Sequence, residues 1–168
     1  MDILSKKTFT EEELSMLDAN FAKNLDATLS ELDAREIIRA INLIKKEFAH
    51  SLFGEALESY LISESLCARE LINDENLDTY VKYYDISNAL NYDFSYLALA
   101  LGDFYYNEGD TEKAKAYYQE AFKPGFDLTK YGYFYSLERY TELCEWEKRE
   151  LLASLISASE KRGGEVDL

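Results

Sequence analysis

The stretch Leu101–Gly125, LGDFYYNEGDTEKAKAYYQEAFKPG, decides the fold. Leu101 and Tyr105 share one helical face, and Ala114, Tyr118 and Ala121 recur at helical spacing further on. Between the two runs stand Gly109, suited to the left-handed close of a helix, and Asp110, suited to cap the start of the next. Pro124-Gly125 ends the second run. A glycine at position 102 lets a second helix come close to the first, where a larger side chain would hold it off. Tyr105 and the Tyr117-Tyr118 pair then fill the space between the helices, with Ala114 and Ala121 turned inward. The stretch predicts a helical hairpin.

The rest of the chain extends that reading. Its 168 residues fit one domain, and the apolar fraction of 47% with 14% aromatics excludes disorder. One proline and seven glycines leave long stretches free for helices, so the expected class is all-α. Thr10–Glu13 and Asp33–Glu36 read as capping boxes, and Asn76, Asp93 and Asp127 as further N-caps. Helices are expected near 10–28, 33–49, 52–73, 76–90, 93–108, 110–123, 127–142 and 144–162. Short connections make antiparallel neighbours, giving about eight helices as stacked hairpins in a single domain, 1–162, with a flexible tail at 163–168.

A shift of 34 residues lays the chain on itself. Tyr117-Tyr118 falls on Tyr83-Tyr84 and on Leu151-Leu152; Leu101-Gly102 falls on Cys67-Ala68, Tyr105 on Leu71, and Gly102 on Ser136. Size classes recur over 60–93, 94–127 and 128–161, with residues 1–50 as an N-terminal capping hairpin. Residues 98–126 resemble the tetratricopeptide repeat: Leu101, Gly102, Tyr105, Ala114, Tyr118 and Ala121 match its pattern. The related Sel1-like repeat fits nearly as well, whereas Ala98 stands where the family has a large aromatic. The resemblance implies a short solenoid of the kind whose hairpins stack because none buries its stripe alone.

Thirteen of the fourteen tyrosines lie between Tyr80 and Tyr140. In the repeat family the first helix of each pair lines a concave groove. That resemblance implies a groove carrying Arg69, Tyr96, Asp103, Tyr106, Asn107, Lys130, Tyr133 and Tyr140. The Lys/Arg/Asn clamp by which some members grip a C-terminal carboxylate is absent. An acidic, aromatic groove favours a basic or basic–apolar segment of another protein. The expected role is a non-enzymatic interaction module: an adaptor, chaperone or regulator.

Charge supports an alternative. Eighteen bases against thirty-three acids give −15, which opposes direct binding to nucleic acid or to an anionic membrane. Residues 51–110 hold twelve acids and two bases, Arg69 and Lys82. Glu64, Glu70, Asp74, Glu75, Asp78 and Asp85 form an expected acidic face able to occupy the basic nucleic-acid site of a target protein, as a DNA mimic does. No phosphate loop, zinc motif or nucleophile elbow occurs, and His50 is the single histidine. No enzyme, cofactor or metal is implied. Cys67 and Cys144 read as buried thiols. The N-terminal stretch lacks the order of a signal peptide and no apolar run spans a bilayer, so a cytoplasmic location is expected.

Overall fold

Thr10 and Asp33 open their helices as reciprocal capping boxes: each side chain accepts from the backbone N–H three residues on, and Glu13 and Glu36 reach back to the cap N–H. From these starts the computed structural model builds an all-α molecule, and it describes residues 8–122 and 134–161. Among the described residues are eight helices: α1 (Glu11–Lys23), α2 (Leu25–Glu31), α3 (Ala34–Glu47), α4 (Leu52–Leu71), α5 (Leu77–Ala89), α6 (Ser95–Asn107), α7 (Thr111–Ala121) and α8 (Phe134–Lys161). None is long and apolar enough to cross a membrane. The chain divides into two units, 1–101 and 102–168, the division falling inside α6.

Two helix boundaries differ from the sequence reading. The helix expected over 10–28 breaks at Asn24, whose backbone leaves helical geometry while its side-chain amide donates to Asn20 O at 3.0 Å. An asparagine that bonds its own helix offers the backbone another partner and weakens the run. The two helices expected over 127–142 and 144–162 are, from Phe134 on, one helix of 28 residues. Neither glycine nor proline lies between Phe134 and Lys161, so no residue there demands a turn. The expected caps Gly125 and Asp127, the Pro124 beside them, and the tail at 163–168 lie outside the described residues.

In the first unit, α1 packs on α4 and α3 on α5, helices not adjacent in the chain, and α1 also meets α3. Leu14, Leu17 and Phe21 of α1 and Phe53, Leu57 and Leu61 of α4 are buried, and the Phe21 and Phe53 rings meet edge to face at 5.2 Å. The start of α4 is fixed by a carboxylate from another helix. Asp18, only 5% exposed, accepts from Ser51 Oγ at 2.9 Å, from Leu52 N–H at 2.9 Å and from Phe53 N–H at 2.8 Å. A buried negative charge is tolerable there because these donors belong to a helix N-terminus. The C-terminal end of α2 is treated in the complementary way, by a cation. Lys82 of α5 donates its ammonium to the Leu29 and Leu32 carbonyls that the helix end leaves without partners. Burial lowers its pKa, against the opposing pull of Asp33 and Glu36.

Asn91, at φ 59°, closes α5, with Tyr92 N–H reaching back to Ser87 O at 2.9 Å. Gly109, at φ 83°, closes α6 in the same manner, with Asp110 N–H on Tyr105 O at 2.9 Å and its own N–H on Tyr106 O at 3.1 Å. Asp110 then caps α7 by accepting from Lys113 N–H. Asn76 does not cap α5 with its side chain as expected. Its amide carbonyl instead accepts from Asn73 N–H and its NH₂ donates to Leu71 O, holding the turn before the helix. Cys67, expected to be a buried thiol, is exposed on α4, because the buried stripe of that helix runs through Leu61, Ser65 and Ala68 beside it.

Candidate binding cleft in the second unit

Gly102 answers the question its position raises. A Cβ built there would lie 2.5 Å from Cε1 and 2.6 Å from Cδ1 of Tyr118, so the α7 ring rests directly on the α6 backbone. Tyr118 is fully buried, and beside it Tyr105 and Tyr117 stack in parallel with centroids 5.7 Å apart. Ala114 and Ala121 are buried on the same side of α7.

The polar end of that packing is Asp103. Its Oδ1 accepts from Tyr118 Oη at 2.6 Å and from Ser136 Oγ at 3.0 Å, and lies 3.3 Å from the Arg139 guanidinium. Burial, then the bond to Asp103, pushes the Tyr118 hydroxyl far above the ordinary tyrosine range. The Arg139 guanidinium carbon lies 4.7 Å from the Tyr106 ring centroid and 4.7 Å from that of Tyr135, within cation–π reach of both. These contacts lock α8 onto α6 and α7, and the ion pair of Lys115 with Glu147 adds a second tie between α7 and α8.

On this frame opens a cleft of about 610 Å³, lined by Tyr106, Thr111, Glu142, Leu143, Glu145, Trp146 and Arg149. Leu143 is buried at 7% exposure, whereas Trp146, the chain's single tryptophan, is 53% exposed. Tyr106 donates its hydroxyl to Glu142 Oε2 at 3.0 Å, which fixes both side chains, and that bond raises the Tyr106 pKa. The α8 residues 142, 143, 145, 146 and 149 follow helical spacing, so one face of α8 supplies most of the cleft. The arrangement offers aromatic and aliphatic contact area with two carboxylates and one guanidinium around it. It can hold an apolar side chain and orient a charged one.

Of the groove residues expected from sequence, Tyr106 lines this cleft. Asp103 is buried in the network described above, and Asn107 is exposed at the end of α6. Tyr140 packs on the α7 side, its ring stacked on Phe122 at 5.8 Å. Arg69 and Tyr96 belong to the first unit, exposed on α4 and half-buried at the start of α6. Lys130 and Tyr133 lie outside the described residues. Trp146, Leu143 and Arg149 were not anticipated. A lone tryptophan three residues beyond a leucine on a helix was the available signal.

The expected acidic face belongs wholly to the first unit. Glu70, Asp74, Glu75, Asp78 and Asp85 are exposed, and Glu64 is half-buried, close enough to Tyr80 to help burial raise that hydroxyl's pKa. Asp78 and Asp85, seven apart on α5, line a shallow groove with Glu31 and Asp33. Among the described residues, no group of three or more His, Cys, Asp or Glu is placed to hold a metal ion. Comparison with protein-family models, with curated proteins and with solved structures returned no significant match.

Proposed function

We propose that the protein is a non-enzymatic, tetratricopeptide-like interaction module whose second unit holds a basic–apolar segment of a partner protein against Trp146. The carrying observation is the cleft itself: a half-exposed tryptophan beside a buried leucine and a fixed tyrosine, rimmed by Glu142 and Glu145. Aromatic anchors set in a pocket dominate the energetics of such contacts. The chain's −15 draws a cationic segment towards it. The hairpin of α6 and α7, with Tyr118 seated on Gly102, supports the repeat resemblance. A second reading, an acidic inhibitor that fills a basic nucleic-acid site, is favoured by the exposed Glu70, Asp74, Glu75 and Asp78.

The test uses a labelled model helix of leucine and lysine, about 20 residues long. Trp146→Ala should weaken its binding by about tenfold or more while leaving the thermal melt unchanged, and Trp146→Phe should lose less. Equal affinity for the parent and Trp146→Ala contradicts the cleft assignment. Loss of binding on reversing Glu70, Asp74 and Asp78 to lysine, with Trp146→Ala harmless, supports the acidic reading instead.

A further inference from the structure

One face of α3 runs against the charge of the molecule. The helix buries Ile37, Ala40, Ile41 and Ile44, and its other side forms a shallow groove of about 460 Å³ lined by Arg35, Ile38, Arg39, Asn42, Leu43 and Lys46. Arg35, Arg39 and Lys46 are exposed, and Ile38 and Leu43 are half-buried between them. The chain has only eighteen basic residues, and this single face gathers three of them along with two large aliphatic side chains. The groove lies within the first unit and the Trp146 cleft within the second.

We propose that this face of α3 docks an acidic amphipathic helix of another protein. The lining residues recur every three or four positions along the 14 residues of α3, a length of about 20 Å. That spacing suits the ridge of a second helix laid along the first. Leucine-type side chains of the partner meet Ile38 and Leu43, and its carboxylates meet the Arg35 guanidinium and the Lys46 ammonium, with Arg39 adding its charge to the same face. Arginine favours this pairing because its planar fork binds a carboxylate through two hydrogen bonds. A long polyanion is a poorer occupant: DNA or an anionic bilayer needs many neutralising cations, and the field of −15 opposes it. A second copy brings another −15 and is repelled likewise.

The experiment is fluorescence anisotropy with a labelled model helix of about 20 residues, leucine at every third or fourth position, about four glutamates flanking the leucines, and alanine or glutamine elsewhere. Saturable binding is expected, weakening about tenfold as salt rises from about 50 to about 300 mM. Reversal of Arg35, Arg39 and Lys46 to glutamate should abolish it, and Ile38→Ser should weaken it several-fold with every charge in place. If the triple reversal disturbs the circular dichroism, Arg35→Gln/Arg39→Gln/Lys46→Gln is read in its place, with the same loss expected. Unchanged affinity in the triple variant overturns the proposal. So does equal binding of unstructured polyglutamate, which leaves charge alone at work, or tighter binding of a DNA duplex of matching length.

Discussion

At position 102 two preferences oppose each other. Inside a helix, alanine is favoured over glycine by about 1 kcal/mol. Against that stands the 2.5 Å approach of a Cβ to the Tyr118 ring, which cannot swing aside because it is fully buried and its hydroxyl is tied to Asp103. Overpacking of this kind costs about 1–3 kcal/mol. Gly102→Ala should therefore destabilise the protein by about 1 kcal/mol net in urea unfolding. The penalty should vanish in a Tyr118→Leu background, where the ring is gone. A Gly102→Ala variant as stable as the parent would show that the α7 ring does not rest on α6. This contact was legible in the sequence, since a glycine inside an apolar helical run followed by a small–aromatic–small run has few other uses. The role of Asp103 was not legible. An aspartate beside that glycine reads equally as a groove residue, and only the fold brings Tyr118, Ser136 and Arg139 to it.

Among the elements, α4 depends most on a partner distant in sequence. Asp18 satisfies Ser51 Oγ and the Leu52 and Phe53 N–H groups, thirty-three to thirty-five positions away. Asp18→Ala leaves those donors buried without an acceptor, at an expected cost of about 2–4 kcal/mol. Asp18→Asn keeps one acceptor oxygen and should cost less. A melt of Asp18→Ala indistinguishable from the parent would rule out this cap. Local signals marked the helix starts well, because Thr10 and Asp33 carry their whole capping boxes within four residues. They failed where an end is set by competition or by distance. Asn24 breaks a run whose apolar pattern continues through it, and α8 crosses the place where a repeat period required a turn. Size class also misled at the start of the 60–93 unit. Cys67 and Leu71 match Leu101 and Tyr105 in register, yet Cys67 is exposed and Leu71 is 51% exposed, whereas Leu101 is fully buried.

For the whole molecule, the class was readable from composition: with one proline and seven glycines, helices are the economical way to satisfy the backbone. The two candidate faces were not, because each is mainly a short stripe on a single helix that overall composition and a 34-residue repeat do not single out. The acidic excess hides the basic face of α3, and Trp146 falls at none of the groove positions that the repeat resemblance implies. Each unit carries a face of its own, an aromatic cleft in the second and a basic–apolar stripe in the first. If Trp146 anchors a bound segment, the chain's single tryptophan makes that contact directly observable. Its emission should be followed while the lysine–leucine model helix is titrated in. The expected result is a saturable blue shift, as a side chain now 53% exposed becomes covered, matching the affinity read by anisotropy. Binding that leaves the Trp146 emission unchanged would place the segment elsewhere on the protein, away from this cleft.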